Sequence, residues 1–110
     1  MKMVFAIVQN QDEHVLIETL MENEFHVTKL ATTGGFLKIG NTTLLIGVEE
    51  ERLEKVLQII REVCQPREQL IPNTTNITLG TDNIYSTYPI KVTVGGATIF
   101  VVDVERFEKI

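Results

Sequence analysis

The run Met3-Val4-Phe5-Ala6-Ile7-Val8 is apolar at every position, and that uniformity limits the folds open to the chain. Successive side chains of a strand point to opposite faces of its sheet, so such a run puts hydrophobic groups on both faces. Leu44-Leu45-Ile46 repeats the pattern in a later segment. Both faces of the resulting sheet therefore need a cover.

The rest of the chain sets out what can supply it. After the first strand, Gln9 to Asp12 read as a turn, with Asp12 as a helix cap. Val15, Leu16, Leu20 and Met21 then recur at helical spacing, Glu18, Glu22 and Glu24 fall on the wet side, and Asn23 ends the helix before Phe25. Phe25 to Leu30 predicts a second strand and Thr43 to Val48 a third, with a glycine-rich run between them. Leu53, Val56, Leu57, Ile60 and Val63 form an apolar stripe from Glu50 to about Cys64, and Glu49, Glu50 and Glu51 sit where a helix N-terminus favours negative charge.

Pro66 closes that helix. Residues 65–83 are polar, contain Pro72 and repeat Asn and Thr, which predicts a loop far longer than the usual connection, either a mobile lid or a segment ordered by a partner. Ile90, Val92 and Val94 then alternate with Lys91 and Thr93 as a strand, Gly95-Gly96 turns the chain, and Ala97 to Val102 returns as the last strand. Asp103 to Ile110 is a short charged tail that Val104, Phe107 and Ile110 can anchor.

This order gives one α+β domain over residues 1–110, a ferredoxin-like βαββαβ sandwich with an added terminal strand or hairpin. The crossovers put both helices on one sheet face. A monomer has nothing left for the other, so the expected cover is a further copy of the chain in a symmetric oligomer.

Charge and cysteine usage narrow the function classes. Fifteen acidic against ten basic residues give a formal charge of -5, which opposes non-specific binding to nucleic acid or to an anionic membrane. No apolar segment approaches the length of a membrane span, and the N-terminal residues carry no secretory pattern. Cys64 is the only cysteine, so neither an internal disulfide nor a cysteine-rich metal site is expected. A cytoplasmic protein fits these features.

The chemistry concentrates between Thr28 and Thr43. Gly34 and Gly35 let a ligand approach main-chain N-H groups, Phe36 can stack on a planar ring, Asn41 offers a donor and an acceptor for a base edge, and Thr28 adds a hydroxyl. Lys29 and Lys38 can attract phosphate, and Gly47 leaves room for a ring or ribose. Two readings stand side by side: a nucleotide site, or a surface turn whose Phe36 is buried against a neighbouring subunit. The run has no Walker A ending and is not a dinucleotide-binding fingerprint. His14 and His26 have no third partner for a metal, Cys64 has no catalytic base, and Glu49, Glu50, Glu51 and Glu54 read as a wet helix start. No catalytic residue is expected and the chain reads as a non-enzyme. The aromatic, basic strand motif of an RNA-recognition module is absent as well.

Met1-Lys2-Met3 leading into Ala6-Ile7-Val8-Gln9, the whole Thr28 to Thr43 run, Arg67-Glu68-Gln69-Leu70 and Val94-Gly95-Gly96-Ala97-Thr98-Ile99-Phe100 are distinctive together. They resemble the small PII-like signal-transduction proteins of Gram-positive bacteria that act as cyclic di-AMP receptors, over essentially the full length. The resemblance implies a homotrimer with cyclic di-AMP in clefts between subunits, no cofactor, and loops whose order changes on binding and is read by a protein partner the sequence does not identify. By similarity the pocket comprises the Val27 backbone, Thr28, Gly35, Phe36, Leu37, Asn41, Gly47 and Phe100. Asn41 and Thr28 would hold adenine or phosphate, Phe36 and Leu37 would cover a base, and Phe100 would line the cleft from the last strand.

Three positions depart from the binding members, which generally carry asparagine where this chain has Glu24, arginine where it has His26 and glutamine where it has Lys109. An imidazole in place of a five-donor guanidinium weakens phosphate recognition, and a carboxylate two residues away repels it. Lys109 returns positive charge. The expected consequence is a retuned pocket, with a trimeric scaffold that has lost cyclic di-AMP, or answers to another nucleotide, as the alternative.

Overall fold

A computed structural model describes residues 1–30, 40–74 and 87–110, with backbone alone at 71–74 and 87–88. Strand β1 (Lys2–Gln9) runs without a break into helix α1 (Asn10–Glu22), and β2 (Val27–Leu30) follows. After β3 (Asn41–Val48), a single tight turn (Glu50–Arg52) opens α2 (Leu53–Val63). The chain continues through β4 (Arg67–Thr74), β5 (Thr87–Val94) and β6 (Ala97–Asp103).

The main sheet has the order β2-β3-β1-β6, with antiparallel neighbours throughout. Its register explains the opening pattern of the sequence. Val4, Ala6 and Val8 of β1, with Leu44, Ile46 and Val48 of β3, are buried beneath Leu16 and Leu20 of α1 and Val56, Ile59 and Ile60 of α2. Each fully buried leucine or isoleucine in this layer contributes about 2 kcal/mol of transfer free energy. The arrangement fits a ferredoxin-like α+β fold.

Among the described residues no helix covers the other face. Met3, Phe5 and Ile7 alternate onto it and stay half-buried, while Phe100 and Val102 are 56% and 44% exposed. The register runs Thr28, Leu45, Phe5, Phe100 straight across the four strands. The two-faced reading of the first strand therefore appears in the structure as a row of large apolar groups open to water.

Local details depart from the sequence reading. Gln9, not Asp12, holds the cap position of α1, with extended backbone and no side-chain cap, because strand passes directly into helix. Val15 and Met21 are exposed, since Leu16 and Leu20, four residues apart, fix the buried face. In α2 the buried set includes Ile59, which the predicted stripe passes over, while Leu53 and Val63 pack at its margin.

The larger difference lies after α2. Residues 67–74, expected inside a loop, form β4, which pairs with β5 as a separate ribbon from Arg67 opposite Val94 to Thr74 opposite Thr87. Residues 75–83 of that expected loop lie outside the described residues. A two-stranded ribbon wets both faces, so β4 needs no apolar alternation, and Pro72 and Pro89 face each other where each strand has an outer edge. Gly95-Gly96 thus joins strands of two sheets and does not close a hairpin between them. Both glycines have positive φ, +94° and +87°, which lets the chain leave the ribbon and enter the main sheet beside β1. The ribbon extends the molecule to 67 × 28 × 19 Å, and the radius of gyration of 18.9 Å exceeds the ~13 Å of a compact chain this long.

Candidate functional site

The glycine-rich run joins the end of β2 to the start of β3. Gly34, Gly35, Phe36, Leu37 and Lys38 lie outside the described residues, but both rims of the run are defined. Asn10 N-H donates to the Gly40 carbonyl at 2.8 Å, fixing a glycine whose φ of +100° suits few other residues. The Thr42 hydroxyl lies 2.6 Å from Asn10 Oδ1 and 2.9 Å from Glu13 Oε2, and offers its proton to one of them at a time. Glu13 also pairs with Lys29. That hydrogen bond, opposed by burial and helped by Thr42, holds the Glu13 carboxyl below its ordinary range. Lys29 is thus engaged with α1 on the helix-covered side, opposite in parity to Thr28.

The remaining candidates are spread over the sheet. Thr28 stands on the open face at the β2 margin, and Phe100 stands in the same row on β6, about 14 Å away across three strand spacings. Gly47 also belongs to this face, opposite Met3, and a Cβ built there would meet nothing within 4 Å, in keeping with the space expected of it. Asn41 shares the parity of Gly47 but lies about 20 Å away along β3. Val27 pairs with Ile46 and packs against the core, so only its backbone remains for a ligand. One chain brings Asn41 beside Gln9 and aligns Thr28 with Phe100, but gathers no single pocket from all five.

Two of the departing positions, Glu24 and His26, follow the end of α1. Asn23 caps the helix and Glu24 adopts the left-handed conformation with φ 64°. Glu24 N-H bonds to Met21 O at 3.0 Å and Phe25 N-H to Leu20 O at 3.0 Å, the paired reverse bonds of a Schellman ending, a position that favours glycine or asparagine. Arg52 braces this end, its Nη2 donating to Asn23 O at 2.8 Å and its guanidinium lying 4.1 Å over the Phe25 ring. His26 is exposed on entry to β2, and Lys109 is exposed in the tail.

Gln9 is the group that sequence reasoning missed. It closes β1 directly opposite Asn41, and an open depression of about 250 Å³ runs between them to Gly95, Gly96 and Thr98. Its Oε1 accepts the Gly95 N-H at 2.8 Å. A second depression is lined by Gln9, Asn10, Gln11, Gly40 and Asn41, four of them amide side chains. The signal available in the sequence was that cluster, Gln9-Asn10-Gln11, which reads equally well as a polar turn.

Beside the depression lies the root of the ribbon. Arg67 Nη2 reaches the buried Asp12 carboxylate at 2.7 Å, and Asp12 Oδ2 has no hydrogen-bond partner among the described residues. Burial, with Asp12 nearby, pushes the adjoining Cys64 thiol up to about 11, which keeps it a thiol at neutral pH. Among the described residues no group of three His, Cys, Asp or Glu side chains could hold a metal, and no helix is long and apolar enough to cross a membrane.

Sheet order and helix placement fit a ferredoxin-like α+β fold. The chain belongs to the cyclic-di-AMP receptor family, whose model matches residues 1–110. A crystal structure described as a functionally unknown protein from Pediococcus pentosaceus ATCC 25745 is similar at 43% identity and a TM-score of 0.77, over 99% of this chain and 96% of that one. The family is one of receptors, which agrees with a site built of recognition groups.

Proposed function

We propose that this chain is a non-enzymatic, cytoplasmic signal-transduction subunit of PII-like type that binds cyclic di-AMP between copies of itself in a homotrimer. The observation that carries the reading is the open sheet face, with Thr28 at one margin and Phe100 at the other in a single row. Groups so far apart in one chain can meet across a cleft when the β2 margin of one copy approaches the β6 margin of the next. Such an approach also covers Phe100 and Val102, whose exposure costs a monomer hydrophobic free energy. The proposed site comprises the Val27 backbone, Thr28, Gly35, Phe36, Leu37, Asn41, Gly47 and Phe100. Ligand would rearrange the glycine-rich run and the ribbon for a protein partner to read.

Calorimetric titration with cyclic di-AMP, AMP and ATP, alongside the mass in solution by light scattering, tests this. Saturable binding of cyclic di-AMP by a trimer is expected; a monomer, or silence towards all three nucleotides, overturns it. If binding is seen, Phe36→Ala should weaken it by about 1 to 3 kcal/mol, the scale of one stacking contact. A second reading, a trimeric scaffold with altered or lost cyclic di-AMP binding, draws on Glu24 and His26, a carboxylate and an imidazole where the binding members generally carry asparagine and arginine. It predicts an unchanged trimer with weakened or absent binding of cyclic di-AMP, and allows a response to another nucleotide.

A further inference from the structure

The Gln9 side chain has its two ends in different surroundings. Its Oε1 accepts the Gly95 N-H at 2.8 Å and is approached by Gln11 Nε2 at 3.4 Å, so the oxygen end is fixed by backbone that can only donate. That fixes the amide's orientation. Its Nε2 has no hydrogen-bond partner among the described residues, and Gln9 lines both depressions that contain Asn41. Gln9 and Asn41 are directly opposed at the ends of β1 and β3 and share the open-face parity. An oriented donor with no partner beside the candidate base-reading amide is suited to an acceptor on a nucleotide, either an adenine ring nitrogen or a phosphate oxygen.

The same side chain is bonded to the ribbon root. Gly95 has little freedom there: a Cβ on it would come within 2.5 Å of Gln65 O, and the next residue, Gly96, donates its N-H to Cys64 O. A shift of the Gln9 amide therefore moves the Gly95 hydrogen bond or breaks it.

We propose that Gln9 is a further residue of the nucleotide site, donating from Nε2 to the ligand while its Oε1 holds Gly95, so that one amide both recognises the ligand and reports its presence to the ribbon. The inference rests on the reading that Asn41 belongs to that site. Gln9→Glu keeps an acceptor for Gly95 and removes the donor, whereas Gln9→Met removes both. Calorimetry with cyclic di-AMP should show about a tenfold or greater loss of affinity in each, the scale of a lost hydrogen bond with an unpaired acceptor. Amide exchange at Gly95 should remain protected in Gln9→Glu and become fast in Gln9→Met, and in the parent chain cyclic di-AMP should change it. The inference is overturned if Gln9→Glu binds like the parent while Asn41→Ala binds weakly, or if Gly95 exchange in the parent ignores the ligand. Silence of the parent itself towards cyclic di-AMP removes the site reading and this inference together. Loss in Gln9→Glu with no effect of Asn41→Ala would remove the pairing with Asn41 on which the inference rests, and overturns it as well.

Discussion

Arg67, at the first position of the ribbon, places its Nη2 2.7 Å from the carboxylate of Asp12, in the first turn of α1, and joins segments 55 residues apart. The carboxylate is almost wholly buried, whereas the guanidinium is 44% exposed, so removing either partner does unequal damage. Arg67→Met strands a buried charge; Asp12→Leu leaves a guanidinium that water can solvate. Thermal unfolding should therefore show a larger fall in midpoint for Arg67→Met than for Asp12→Leu, with the double variant near or above the better single one. Equal falls for the two single variants would contradict this asymmetry.

Gly95 and Gly96 should respond differently to alanine. Both have positive φ, but the Gly95 Cβ would meet backbone at 2.5 Å, whereas the Gly96 Cβ would meet nothing within 4 Å. Gly96→Ala should cost about 1 kcal/mol of conformational strain and Gly95→Ala at least about 2 kcal/mol. Urea unfolding of the two variants tests the order.

Glu24 in a left-handed helix ending is a strained choice. Glu24→Gly should stabilise the domain by about 1 kcal/mol in urea unfolding by removing the Cβ penalty, with Glu24→Asn gaining part of that. The pair also separates backbone from recognition. Under the proposed function, asparagine should tighten cyclic di-AMP binding because it restores a donor; equal tightening by glycine would assign the effect to lost charge.

The Lys29 pairing implies a defined pH dependence. Glu13 has its folded carboxyl pKa depressed below the ordinary 4.5, so the unfolded state binds more protons near that pH. The stability it contributes is complete above the unfolded value and is lost as pH falls through the folded one. The midpoint difference between the parent and Glu13→Gln should accordingly be constant near neutrality and shrink below about pH 4.5. A difference that grows on acidification would give the wrong sign.

The sequence revealed the elements that obey a strict period and obscured those that do not. Val4, Ala6 and Val8 against Phe5 and Ile7 foretold two apolar faces, and the α2 stripe needed only the addition of Ile59. Arg67 to Thr74 gave no strand signal because a solvated ribbon imposes no alternation, and its pairing depends on residues some twenty positions later. The same separation hid Gln9, whose role depends on Gly95, 86 residues away. Asp12 failed as a cap because β1 runs straight into α1 and leaves it inside the first turn, where its partner is the remote Arg67.

The spacing of Thr28 and Phe100 also has a genetic side. In the proposed assembly each copy lends one margin to each of two clefts, so a chain defective at Thr28 still brings a sound Phe100, and the reverse. Two alleles, each inactive alone, could then rebuild a working cleft where the intact margins of different copies meet, and coexpression would rescue signalling that neither supports by itself.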